Sequence, residues 1–182
     1  SHEIGAKYPE IYSYALNDLG ETYWELKDTK KAASCYQQNI RFNEQLKRRG
    51  EKTSISSLLD LQLAYGKLAL CQASDMNKNA SDMPTPTSIR KLTTLQQNLI
   101  AQISQKDGCK PSKKIIATIS SVNTLLELAN ILLAKGKAEE CLDYFREAGE
   151  ICAKFQGFDA EFLQYQQSPK ASSSKKTSSS SS

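Results

Sequence analysis

The sequence is short of the side chains that most catalytic and metal sites need. Its 182 residues include one histidine, His2, which argues against histidine-based triads and histidine-rich metal sites. Its eight glycines occur singly, so there is no glycine-rich phosphate loop. Carboxylate pairs such as Glu139 and Glu140 are explained as solvated helix surface. We therefore expect a protein that is not an enzyme and uses no cofactor or metal.

The cysteines and the apolar runs are also uninformative about chemistry. Five cysteines, none spaced as C-x-x-C, fit reduced core thiols rather than a disulfide framework. No apolar run reads as long enough to span a bilayer, and the N-terminus lacks the basic-then-apolar form of a signal peptide. We expect a soluble cytoplasmic or nuclear protein with no membrane partner.

Positive charge is concentrated near the end of the sequence. The formal net charge is +4, but residues 168–182 contain three lysines and no acid, so the rest is nearly neutral. This Ser- and Lys-rich tail has little to bury and is predicted to be disordered. Basic clusters at 47–52 and 110–114 have no interleaved aromatics, which favours solvated turns over direct nucleic-acid binding.

Helical periodicity is what the sequence does contain. Apolar residues recur at steps of three and four in six long segments, separated by glycine, proline and polar breaks. Within one helical domain, 9–167, the pattern predicts helices at about 9–27, 29–49, 55–74, 89–105, 112–135 and 137–155, and a short final helix after Asp159. Asp28 and Ser88 are candidate N-caps, and the third helix is expected to start after Thr53 or Ser54. Residues 1–8 are a lead-in, and residues 75–87 are a loop insertion.

Two stretches share one spacing. The first contains Leu16, Leu19, Gly20 and Tyr23, then Ala32 and Tyr36; the second contains Leu125, Leu128, Ala129 and Leu132, then Cys141 and Phe145. The leucines form one helix face, the small residue admits a second helix, and the aromatic fills the space beyond. The pattern resembles the tetratricopeptide repeat, a helix–turn–helix unit of about 34 residues. It departs from the family where Leu16 replaces Trp, where Asn39 replaces a small residue, and where a closing proline is absent.

The resemblance implies a fold. It is an all-α, right-handed superhelical array of antiparallel helix pairs, with three pairs and a C-terminal capping helix. The middle pair is degenerate, because either Ala64 or Gly66 could be its close-contact residue. The long second helix resembles repeats of about 40 residues found in kinesin light chains, Pins-type adaptors and Tonsoku-like scaffolds.

The resemblance also implies a binding surface. Family members commonly bind ligands along the concave face, which is lined by the first helix of each pair. Carried over by position, the candidate residues are Tyr14, Asn17, Asp18, Glu21, Trp24, Glu25, Asn123, Glu127 and Asn130. The lysine with which the chaperone-binding branch holds a terminal carboxylate is absent. Because acids attract positive segments, we expect a basic or amphipathic protein or peptide partner. The alternatives are a solvated face for the acids and a packing role for Trp24.

The expected function is a protein-binding adaptor or scaffold. One alternative is an interaction module for nucleic acid or nucleoprotein that uses the basic turns and the tail. Another is a structural subunit of a larger helical-repeat assembly. Thr85 and Ser168 precede prolines and are candidate phosphorylation sites, where added charge would act as a switch; a plain linker is the alternative.

Overall fold

The described part of the protein is built from six α-helices in succession. The computed structural model describes residues 8–76 and 85–167, with the backbone alone from residue 155 onward. These residues contain no β-strand, so the predicted all-α class is confirmed. The helices are α1 (Pro9–Glu25), α2 (Thr29–Arg48), α3 (Ile55–Asp75), α4 (Pro86–Ser104), α5 (Pro111–Ala134) and α6 (Ala138–Gln167).

Side-chain caps fix where three of these helices begin. Asp28 before α2 and Ser54 before α3 each accept a hydrogen bond at 3.1 Å from the backbone N–H three residues on. This confirms the predicted cap at Asp28 and selects Ser54 over Thr53 at the start of α3. At α4 the prediction is wrong, because Thr85 Oγ1 is the cap and accepts from the N–H of Ser88 at 3.2 Å. Pro86 explains the earlier start, since its fixed φ suits the first helical position.

The helices form two layers. Each helix packs against the next, and α1, α3 and α5 also pack in succession against one another. Helices α2, α4 and α6 make no such mutual contacts within the described chain. The first set therefore forms an inner layer and the second an outer layer, as in a tetratricopeptide-like array of the pairs α1–α2, α3–α4 and α5–α6. The right-handed sense of the array stays a prediction.

Two apolar clusters fill the space between the layers. One unites α2, α3 and α4 and includes Tyr36, Leu68 and Ile103. The other unites α3 to α6 and includes Leu70 and Leu128. Because each cluster draws on at least three helices, no helix pair buries its apolar face alone.

A chain of buried amides ties α1 to α2 and α3. Asn43 Nδ2 donates to Ser13 Oγ at 2.9 Å, and Asn39 Nδ2 donates to Asn17 Oδ1 at 2.7 Å. Asn17 Nδ2 then donates to the backbone oxygen of Asp60 at 2.9 Å. These bonds offset the cost of burying amides. They also explain why Asn39 stands where the repeat pattern usually has a small residue.

The turns of the first and third pairs differ in strain. Gly136, between α5 and α6, has φ +75°, and Lys27, at the matching place between α1 and α2, has φ +61°. This left-handed conformation costs a residue with a side chain about 1–2 kcal/mol. The first pair therefore holds a strained turn that glycine relieves in the third.

The predicted final helix is not separate. Helix α6 continues without a break through Gly157 to Gln167, so the expected reset at this glycine is wrong. One interior glycine costs a helix only about 1 kcal/mol. Without a nearby proline, that cost is too small to end the helix.

Helix α5 corrects another expectation. It is long and apolar enough to cross a bilayer, with a mean hydropathy of 1.5, although no such run was expected. It packs against α3, α4 and α6, and 44% of the apolar window is buried. In this structure α5 therefore serves as a core helix.

The ends of α3 and α4 are held on both sides of their connection. Lys135 Nζ, from the α5–α6 turn, donates to the backbone oxygens of Ser74 and Met76 at 2.7 and 2.8 Å. Ser88 Oγ of α4 donates to Gln72 Oε1 of α3 at 2.9 Å. The two helix ends are thus fixed independently of the residues that join them.

Only some of the predicted domain limits fall within the described residues. Helix α4 begins inside the predicted loop 75–87, and residues 77–84 lie outside the described residues. Residues 1–7 and 168–182 also lie outside them. The lead-in, the rest of the loop and the disordered tail therefore stay predictions.

Candidate binding groove

A groove crosses the inner face of α1, α3 and α5. A hollow of about 400 Å³ lies between α1 and α3, and its walls include Ile11 and Tyr14. A second hollow of about 470 Å³ lies between α3 and α5, and its walls include Ile119. Leu59 and Asp60 line both hollows, so the two form one surface, which we call the inner groove.

Apolar side chains stand exposed along the inner groove. Ile11 and Tyr14 of α1 are 65% and 60% exposed. Leu63 of α3 and Ile116 and Ile119 of α5 are exposed as well. A contiguous run of exposed apolar side chains marks a surface that binds something. Chemically, this groove can bury the apolar side of a partner segment.

Gly66 sets how α3 sits between its neighbours. A Cβ at this position would lie 2.3 Å from Gln96 Nε2 and 2.6 Å from Thr124 Oγ1. Only glycine lets α3 approach α4 and α5 this closely without displacing those buried side chains. Gly66 is therefore the close-contact residue of α3, and Ala64 is an ordinary core residue.

This register explains which α3 residues line the groove. Counting from Gly66 as from Gly20 of α1 gives the α3 counterparts of Tyr14, Asn17 and Glu21. These counterparts are Asp60, Leu63 and Lys67, and all three line the α3–α5 hollow. Sequence reasoning missed them because it left the register of α3 undecided.

Ile116 and Ile119 were missed for a different reason. By the shared spacing, Ile116 falls before the start of α1, and Ile119 matches Glu10, which precedes Tyr14, the first position carried over from the family. Carrying over the family's binding positions therefore assigned no role to these two isoleucines. The signal present was the spacing of three between the two isoleucines, followed by a spacing of four to Asn123, which lines the same hollow.

Glu21 is engaged within the fold. Its carboxylate oxygens lie 2.9 and 3.0 Å from Lys67 Nζ, and one accepts a hydrogen bond from Tyr36 Oη at 3.2 Å. Burial, with the nearby Glu21 charge, raises the pKa of Tyr36, so its hydroxyl remains a donor. Lys67 offsets the negative charge that Glu21 would otherwise present to a partner.

A second concentration of acid lies beside the α1–α3 hollow. Burial raises the pKa of the Asp60 carboxyl, and the charges of Glu10 and Asp18 raise it further. Glu10 and Asp60 both line the hollow, and so does Lys113. An incoming cation would relieve the repulsion among these carboxylates.

The predicted site residues divide by burial. Tyr14 lines the α1–α3 hollow, and Asn123 and Glu127 line the α3–α5 hollow. Asn17 is only 4% exposed, and both ends of its amide are bonded within the fold. The expectation that Asn17 lines the binding surface needs correction, because it packs the helices together.

The remaining predicted residues lie elsewhere. Asp18, Glu25 and Asn130 are exposed but line neither hollow. Trp24 is partly buried and packs against both apolar clusters, which favours its packing role over an exposed anchor. The inner groove therefore gathers Tyr14, Asn123 and Glu127 and leaves the other six predicted residues outside it.

The candidate phosphorylation sites differ in placement. Thr85 caps α4 through its hydroxyl oxygen, so it belongs to a helix end and not to the loop in which it was expected. Ser168 lies outside the described residues. Modification of either residue stays a prediction. Among the described residues, no group of three His, Cys, Asp or Glu side chains could hold a metal ion.

Comparison with known proteins identifies the first helix pair. Residues 13–45 match the family model of the tetratricopeptide repeat. The matched stretch covers most of α1 and α2, which supports the repeat predicted there. A search of curated proteins and a search of solved structures gave no match. The long-helix subgroup stays a prediction.

Proposed function

We propose that this protein is a non-catalytic adaptor or scaffold of the cytoplasm or nucleus that binds a partner segment in the inner groove. The observation that carries the proposal is the continuous exposed apolar surface shared by α1, α3 and α5. The tetratricopeptide match supports it, because such repeats generally mediate protein–protein interaction.

The groove favours an amphipathic segment with a basic residue. Apolar partner side chains would bury Tyr14 and Ile119, which contributes most of the binding free energy. A lysine or arginine would approach Asp60, where Glu10 adds negative charge. Charge of this kind sets register and association rate more than affinity.

Selection of short random peptides on the immobilised protein tests this proposal. The enriched peptides should combine spaced apolar residues with lysine or arginine. Binding of one such peptide is then measured by calorimetry. Failure to enrich any peptide, or enrichment of acidic ones, would contradict the proposal.

Matched variants locate the contact. Ile119→Glu should abolish peptide binding, because it places a charge in the apolar centre of the groove. Leu133→Glu is the control, since Leu133 is, like Ile119, an exposed aliphatic residue of α5 but lines neither hollow. Equal binding by both variants would place the peptide outside the groove.

The pH dependence of binding tests the role of Asp60. Its raised pKa means that its negative charge is lost on acidification sooner than that of an ordinary aspartate. Affinity for a basic peptide should therefore fall as the pH drops through this pKa. In Asp60→Asn this fall in affinity should disappear. If the variant and the wild type show the same pH profile, Asp60 is excluded as the contact.

A further inference from the structure

Within the chain, α3 covers one face of α2. Tyr36 and Ile40 of α2 are buried with Leu58, Tyr65 and Leu68 of α3 in one cluster. Tyr36 is 0% exposed. This contact shows how the first helix of one pair packs on the second helix of the pair before it.

Helix α6 carries the corresponding face without a cover. By the spacing shared by the two repeats, Phe145 and Gly149 of α6 match Tyr36 and Ile40 of α2. Phe145 is 39% exposed, and a Cβ at Gly149 would meet nothing within 4 Å. The face that receives α3 on α2 is thus open on α6 among the described side chains.

Helix α1 carries the other half of this contact. Counting from the close-contact glycines, Leu19 and Thr22 of α1 match Tyr65 and Leu68 of α3. Tyr65 and Leu68 are buried, whereas Leu19 is 45% exposed and Thr22 is exposed. Leu128, at the same position in α5, is completely buried in the cluster that α5 shares with α4.

We propose that a second copy of this chain binds head to tail, with α1 of one copy on α6 of the next as α3 lies on α2. One chain carries both halves of the contact, so a second copy is sufficient to complete it. The two faces are different, so the contact is heterologous and leaves one face free at each end. Copies would therefore add in series instead of stopping at a symmetric dimer.

Sedimentation velocity across a range of concentrations tests this proposal. The full chain is kept under reducing conditions, because Cys152 is exposed and could form disulfide-linked dimers. A series of species that grows with concentration is expected. A monomer at every concentration would overturn the proposal.

Two single variants test the direction of the contact. Leu19→Glu blocks the α1 face and Phe145→Glu blocks the α6 face, and each should weaken self-association at least about tenfold. Mixed in equal amounts, they still offer one intact face each and should form a 1:1 dimer that grows no further. If either variant alone associates as the wild type does, the contact is not head to tail.

A third variant separates blocking from misfolding. Gly149→Lys adds a side chain where the fold has open space, so the chain should fold normally and still lose self-association. Glu139→Lys is the control and should keep the wild-type series, because Glu139 is exposed and its α2 counterpart Lys30 stays exposed beside α3. Peptide binding in the inner groove should survive Gly149→Lys, so failure of this proposal is distinguishable from failure of the groove proposal. If folded Gly149→Lys associates normally, α6 is not the interface.

Discussion

The first and third helix pairs share one spacing but are buried in opposite ways. Tyr36 is fully buried and its counterpart Phe145 is 39% exposed, whereas Leu19 is 45% exposed and its counterpart Leu128 is fully buried. The local sequence is alike in each case. Burial in this protein therefore depends on which neighbouring helix lies alongside, and not on the repeat pattern alone.

The two pairs also differ in what fills them. Asn17 and Asn39 join α1 and α2 through amide hydrogen bonds. Their counterparts in the third pair are Leu126 and Ala148, which cannot form such bonds. Leu126 is also exposed, so the third pair has neither these polar contacts nor a core side chain at that position, and the two pairs should respond differently to substitution.

Truncating the matched aromatics should give the largest contrast. Tyr36→Ala should lower the free energy of unfolding by about 3–5 kcal/mol, because it leaves a cavity in the core. Phe145→Ala should cost about 1 kcal/mol or less, because this ring is partly solvated. Urea denaturation at low protein concentration measures both. Equal losses would mean that the α6 face is covered.

Removing the central amide should affect the first pair strongly. Asn39→Ala leaves Asn17 Oδ1 buried without its donor and should cost about 2–3 kcal/mol. The exposed neighbour Gln38 is the control, and Gln38→Ala should change stability by about 0.5 kcal/mol at most. The midpoint of thermal unfolding gives the comparison. A small effect at Asn39 would show that packing, not the amide chain, joins α1 to α2.

Exchanging the small residues should destabilise both pairs for different reasons. A methyl group in Gly20→Ala would lie 2.7 Å from the Tyr36 ring and should cost about 1–2 kcal/mol through overpacking. Ala129→Gly should cost about 1 kcal/mol, because glycine gives the unfolded chain more conformational freedom to lose on folding. Chemical denaturation distinguishes the two. A stabilised Gly20→Ala variant would mean that the approach of α2 is looser than the structure indicates.

Substitutions in the turns within the first and third pairs should change stability least, and in opposite directions. Lys27→Gly should raise stability by at most about 1 kcal/mol, because it removes left-handed strain. Gly136→Lys should lower it by a similar amount, about 1 kcal/mol. Thermal unfolding of both variants checks the prediction. A change of the same sign in both would show that backbone strain does not distinguish these turns.

Much of the fold was predictable because its signals are local. Apolar spacing located the helices, and Asp28 marked the start of α2 through cap chemistry. Gly157 misled because an interior glycine raises the cost of a helix without ending it. Thr85 was missed because the preference of Pro86 for the first helical position outweighed the cap signal at Ser88.

The site was less predictable because it depends on contacts between helices. The pairing of Glu21 with Lys67 joins residues 46 positions apart and requires the register of α3. The burial of Asn17 depends on Asn39 and on the backbone of Asp60. Spacing in the sequence could place Tyr14, Asn123 and Glu127 on an inner face. It could not show which charges the fold itself neutralises.

The hydrogen bonds that hold the end of α3 and the start of α4 have a consequence for protein engineering. Lys135 holds the end of α3, and the Ser88–Gln72 bond holds the start of α4. The connection between them can be lengthened at little cost, since each doubling of a flexible loop adds only about 0.6 kcal/mol. A reporter tag spliced between Met76 and Thr85 would thus report on the array without distorting it.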